Sequence, residues 1–122
     1  FIARRLARQS LERLASPTSV LRVGPEGAWF EWGGERVDLR RRTAVRLMFR
    51  ALVENLVHRP GVGMSADALV AIGWPGERIL PEAAAARVYS GIRTLRSLGL
   101  EEILLRHADG YLLDPEVKVE WD

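Results

Sequence analysis

PEAAAARVYSGIRTLRSLGL, residues 81–100, and EEILLRHADGYLL, residues 101–113, form the stretch that decides the fold. Pro81 suits the first turn of a helix, where its missing N–H would have had no helical partner. From Pro81 to about Leu98 the apolar residues keep a helical period. At 100° per residue, Val88, Ile92, Leu95 and Gly99 fall on one side, the predicted core side. The opposite side carries Ala83, Ala86, Ser90, Arg93, Thr94 and Ser97, flanked by Arg87 and Arg96, with no acid after Glu82. Gly99 is a natural stop. Ile103-Leu104-Leu105 and Tyr111-Leu112-Leu113 then read as two strands. His107-Ala108-Asp109-Gly110 joins them as a hairpin, with Arg106 and His107 at its tip.

Working back from this stretch, Trp74-Pro75-Gly76-Glu77 reads as a loop. Ser65 is a good N-cap for a short helix, Ala66 to Ile72, stopped by Gly73. A longer helix is predicted from about Arg41 to His58. Val45, Met48, Phe49, Leu52 and Leu56 share its core face. Arg42, Arg46 and Arg50 repeat every four residues on another face. That stripe suits phosphates, and equally an ordinary wet face with Arg50 and Glu54 as an i,i+4 pair. Arg59-Pro60-Gly61-Val62-Gly63 ends this helix.

Earlier still, the period changes to two. Val20 to Val23, Trp29 to Trp32 and Arg36 to Leu39 read as three short strands of a small antiparallel sheet. Pro25-Glu26-Gly27 is a turn and Gly33-Gly34 a tight hairpin signal. Trp29 and Trp32 suit base stacking, but packing on a half-buried sheet is the commoner role. Phe1 to Leu14 reads as an amphipathic basic helix, broken by Ser16-Pro17-Thr18-Ser19. The expected class is α+β: a small sheet, three helices and a β-hairpin, preceded by an extra N-terminal helix. Residues 1–16 read as a helical linker or the end of an upstream module. Residues 17–122 read as one domain with a short acidic tail from Asp114 to Asp122.

The 122 residues, nearly half of them apolar, can form a core without staples. The absence of cysteine removes disulfides, thiol nucleophiles and cysteine-type zinc sites, and fits a reducing cytoplasm. No apolar run reaches membrane-span length. His58 and His107 share no short ligand spacing with a carboxylate, so no metal is expected. Gly61-Val62-Gly63 does not open a helix after a strand, so it is no dinucleotide fingerprint. No catalytic constellation stands out and no cofactor is expected; Glu101-Glu102 reads as a solvated pair. Net charge is only +2, but Lys118 is the only lysine among 18 basic residues. Guanidinium groups suit phosphate contacts, although GC-rich codon usage explains an arginine bias equally well. Uneven spacing of acids and bases lets such a chain carry a positive face.

Several segments together resemble the winged-helix effector domains of OmpR/PhoB-type transcription regulators, over about Val20 to Asp114. They are Val37-Asp38-Leu39, Leu52-Val53, Ser65-Ala66-Asp67-Ala68-Leu69, Trp74, Arg87-Val88-Tyr89-Ser90-Gly91-Ile92-Arg93-Thr94-Leu95-Arg96 and Asp109-Gly110-Tyr111. The resemblance implies a winged helix-turn-helix that binds double-stranded DNA. Residues 81–98 would enter the major groove, and the hairpin 103–113 would act as a wing at the minor groove. It places Arg87, Ser90, Arg93 and Thr94 toward the major groove, Arg96 near the backbone and Arg106 at the wing tip. It also implies an upstream regulatory domain, and RNA polymerase as a partner of the Trp74–Leu80 loop. Ala85, Ala86 and Gly91 depart from the family's more polar pattern, which removes base-reading groups. The wing turn is one residue longer than usual.

Beside that stands the reading from the residues. Arg42, Arg87, Arg93, Arg96, Ser97, Arg106 and His107, with Ser90 and Thr94, are candidate DNA contacts, provided the arginines at 87, 93, 96 and 106 point together. Roughly four to six phosphate contacts would give a log–log salt slope of about −4 to −5. The alternative is a protein-interaction module on the same scaffold, favoured by the alanine-rich face from Ala83 to Ala86. A homodimer on repeated half-sites stays open.

Overall fold

The change from a period of two to a period of 3.6 near Leu39 is where the chain leaves a sheet and enters a helix. In the computed structural model, which describes residues 20–108 and 110–122, the first strands are β1 (Val20–Val23), β2 (Trp29–Trp32) and β3 (Glu35–Asp38). A single 3-10 turn, Pro25–Gly27, joins β1 to β2. The three helices are α1 (Thr43–His58), α2 (Ala66–Gly73) and α3 (Pro81–Leu95). The later strands are β4 (Met64–Ser65), β5 (Leu104–His107), β6 (Gly110–Leu113) and β7 (Lys118–Trp121). The expected helix at Phe1–Leu14 lies outside the described residues.

Local chemistry explains most boundaries. Gly33 and Gly34 take φ of +68° and +89°, which lets β2 turn tightly into β3. The Ser65 Oγ accepts the Ala68 N–H at 3.1 Å and starts α2. Pro81 opens α3, and the Leu80 carbonyl accepts the Ala84 N–H. The α-helical part of α3 ends at Leu95, earlier than the expected Leu98, and a wider π-type turn carries the chain through Arg96–Leu100. Gly99, at φ +135°, lets the backbone leave that turn.

Two features correct the sequence reading. The acidic C-terminal stretch is not a tail: β7 pairs in parallel with β1, making a four-stranded sheet of order β3-β2-β1-β7. Two of its acids are held there by Arg22, Asp122 at 3.2 Å and Glu120 at 3.9 Å, and the same guanidinium reaches Glu31 of β2 at 3.1 Å. The C-terminal hairpin is also more than two strands. Met64–Ser65 adds to β6, giving a sheet of order β4-β6-β5.

Between the sheets and helices lies one continuous core. Leu21, Val23 and Phe30 from the first sheet meet Phe49, Leu52 and Val53 of α1, Leu69 of α2, and Val88, Ile92 and Leu95 of α3. The Phe30 and Phe49 rings sit 5.1 Å apart and tilted, a favourable aromatic arrangement. Ile103, Leu104, Tyr111 and Leu113 close the core from the hairpin side.

At the end of β3 the Arg40 guanidinium and backbone N–H both bond the Asp38 carboxylate, lowering its pKa to about 2. A lowered carboxyl pKa stabilises the fold above the usual carboxylate range, about pH 4, and that contribution is lost as pH falls through about 2. Asp38→Asn is therefore expected to flatten the fall of the melting temperature between those values. Parallel melting curves for parent and variant across that window would refute it.

Candidate functional site

The outer side of α3 and the end of β5 come together through one side chain. Arg96 donates from Nε and Nη2 to the Leu104 carbonyl, at 3.1 and 2.9 Å. This half-buried clamp fixes the end of α3 to the start of β5. It also occupies the guanidinium expected to approach a phosphate backbone, so Arg96 is first a structural contact. Ser97 is exposed and donates to the Thr94 carbonyl at 2.9 Å.

The remaining arginines divide. Arg87 is drawn to the α2–α3 loop: its Nη1 lies 3.0 Å from Glu77 Oε1, and its guanidinium lies 5.5 Å from the Trp74 ring centre. Arg93 is exposed and lies over the exposed Tyr89 ring at 5.9 Å. Arg106 is exposed beside Tyr111 at 5.6 Å, its cross-strand partner. Among the described residues no ion pair engages Arg93, Arg106 or the exposed Arg42, which precedes the first turn of α1. Of the arginines at 87, 93, 96 and 106, two are engaged within the chain, Arg87 by Glu77 and Arg96 by the Leu104 carbonyl, and two, Arg93 and Arg106, have no ion pair among the described residues.

Of the two readings of the Arg42, Arg46 and Arg50 stripe along α1, the wet face with an Arg50–Glu54 pair is the one seen. Arg46 Nη1 donates to the Glu26 carbonyl at 3.1 Å. Arg50 bonds both Glu26 and Glu54, each at 3.3 Å. Only Arg42 of the three is left unpaired by described residues. His107 is exposed but is no turn residue; it closes β5 opposite Gly110.

Gly91 needs a different explanation from the one its sequence position suggests. It is buried, and an added Cβ would stand 2.4 Å from Met48 Cε. The position belongs to the α1–α3 contact, so its small size removes no base-reading group. Beside it runs an open groove of about 330 Å3, lined by Val45, Trp74, Ala86, Arg87, Ser90, Gly91 and Thr94. Ser90 and Thr94 therefore face this groove rather than standing clear of it. Glu77, Trp74 and Val45 were not anticipated as neighbours of these residues. No period links a loop acid to a helix arginine ten positions later, so their pairing is a tertiary fact.

Among the described residues no group of three or more His, Cys, Asp or Glu side chains could hold a metal ion. No described helix is long and apolar enough to cross a membrane. Compared with protein-family models and with curated proteins, the chain matches none of them.

Proposed function

We propose that residues 20–122 form a winged-helix domain that binds double-stranded DNA as the effector part of a cytoplasmic transcription regulator. On this reading α3 enters the major groove and the β5–β6 hairpin is the wing. The observation that carries it is the pair Arg93 and Arg106, which no ion pair engages among the described residues and which the Arg96 clamp holds on adjoining elements. Residues on the exposed side of α3 are small enough for close approach to a groove wide enough to admit a helix. Glu120 of β7 and Asp122 after it support the reading too, because Arg22 of the first sheet holds both. Phosphate contacts supply most affinity and base contacts the selectivity. Arg93, with Ser90 and Thr94 beside it, is the base-facing group. Arg42 and Arg106 are the phosphate-contacting groups.

Of the candidate contacts, Arg42 and Arg106 have no ion pair among the described residues and are assigned to phosphates, and Arg87 is a third once it leaves its surface pair. Titration against duplex DNA at several salt concentrations is therefore expected to give a log–log slope of about −2 to −3. A slope near zero would sink the proposal. A protein-docking role is the second reading, favoured by the groove beside Trp74 and by the Glu77–Arg87 pair, which removes a positive charge from it. The exposed Leu80 at the end of the same loop suits a protein partner such as RNA polymerase. Absence of DNA binding at low salt would leave docking as the surviving role.

A further inference from the structure

We infer that Glu77 is an internal competitor of phosphate for Arg87, so that the α2–α3 loop sets the affinity of the DNA-facing side; this rests on the DNA-binding proposal. The geometry is that of a phosphate contact already filled from within the chain. The Glu77 carboxylate lies 3.0 Å from Arg87 Nη1, with the Trp74 ring beside the same guanidinium at 5.5 Å. Arg87 projects from α3 on the groove that Ser90 and Thr94 also line, so it belongs to the face assigned to DNA.

The pair is built to exchange. Both side chains are well exposed, at 40% and 52%, and an exposed ion pair of this kind is weak in water. A duplex phosphate is a stronger local anion in a dense array, and its contact with arginine releases condensed counterions, which the Glu77 contact does not. Contact with DNA therefore requires Arg87 to leave Glu77. The carboxylate left behind then stands near the phosphates and opposes binding. Glu77 reduces affinity twice: it occupies the cation, and it adds a like charge to the polyanion. The loop that carries it, residues 74–80, turns at Gly76, whose φ is +82°. A cationic partner surface that took Glu77 would release Arg87 and raise DNA affinity, and by linkage DNA would favour that partner equally.

The test is a double-mutant cycle on the whole chain, with random-sequence duplex DNA as probe and titrations at three salt concentrations. The variants are Glu77→Gln, Arg87→Ala and the two combined. Glu77→Gln is expected to bind about three- to tenfold more tightly at low salt. Its salt slope should be steeper by about one, since in the parent the carboxylate that Arg87 leaves takes up a cation and offsets the counterion released from phosphate. In the Arg87→Ala background the same change should give less than half of that gain. Melting temperatures of the variants report whether the fold is kept, as expected for two exposed positions. Equal affinity and slope for parent and Glu77→Gln would overturn the inference while leaving DNA binding intact. A full gain that persists without Arg87 would also overturn it, by showing simple repulsion. Failure of every variant, including Glu77→Gln, to bind DNA would overturn the DNA-binding proposal itself.

Discussion

Gly110→Ala is expected to lower stability by about 2–4 kcal/mol, more than any other single-methyl addition at the glycines of the two sheets and three helices. The reason is what the new Cβ would meet. It would lie 2.6 Å from the Met64 carbonyl oxygen, 2.9 Å from the carbon of that carbonyl and 3.2 Å from the Gly63 carbonyl carbon. All three are backbone atoms, so no rotamer change relieves the clash. The strands must part, and the pairs Met64↔Tyr111 and Ser65↔Gly110 go with them. Ser65 also caps α2, so the damage reaches the helix that packs on α3. For a chain of this size that loss is a fall of roughly 8–15 °C in melting temperature. Gly91→Ala provides the contrast. Its clash is with the end of the Met48 side chain, a flexible thioether that can move. Alanine also gains about 0.5–1 kcal/mol over glycine inside a helix. If Gly110→Ala melts with the parent, or if the two alanines cost the same, the close approach of β4 and β6 has been misread.

The contrast between these two glycines also shows how much could be read from residues alone. The periods of α1 and α3, the Ser65 cap, the Pro81 start and the Gly33-Gly34 turn are local, and each matches an element of the structure. Gly91 was readable as core in principle: Val88, Gly91, Ile92 and Leu95 fall at the 0, 3, 4, 7 spacing of a buried helix face. A residue without a side chain simply adds no apolar weight to that count. What was hidden depended on distance along the chain. β7 pairs with β1 across almost the whole length described, and Lys118, Glu120 and Asp122 mask the alternation of Val117, Val119 and Trp121. β4 has only two residues, too few to show a period. In the candidate site the types and positions of the arginines were legible, but their partners were not. Glu77 for Arg87, Glu26 for Arg46 and Arg50, and the Leu104 carbonyl for Arg96 are all tertiary contacts. Such contacts decide which cations remain available, and of the arginine partners only Glu54 for Arg50 lies at a spacing the sequence shows.

Arg93→Ala and Arg96→Ala are therefore expected to fail in opposite ways. Arg93 is exposed, beside Tyr89, with no ion pair among the described residues. Its removal costs the fold little, because an exposed residue on a helix face changes stability by only a few tenths of a kcal/mol. Its cost to binding should be about 1–3 kcal/mol, roughly five- to 150-fold, and largest on the preferred sequence if the guanidinium reads a base. Arg96 is engaged by the Leu104 carbonyl through two N–H groups. Alanine there leaves a half-buried carbonyl without its partner and unties α3 from the hairpin, a loss of about 1–2 kcal/mol in stability. Binding by the folded fraction should change less than for Arg93→Ala. The decisive comparison sets melting temperature against DNA affinity for the two variants. Arg93 loses its assigned role if its variant binds every sequence as well as the parent does. Arg96 loses its own if its variant melts normally but binds as poorly as Arg93→Ala. That second outcome would mean the guanidinium leaves Leu104 for phosphate when DNA arrives, so that the clamp exists only in the free protein.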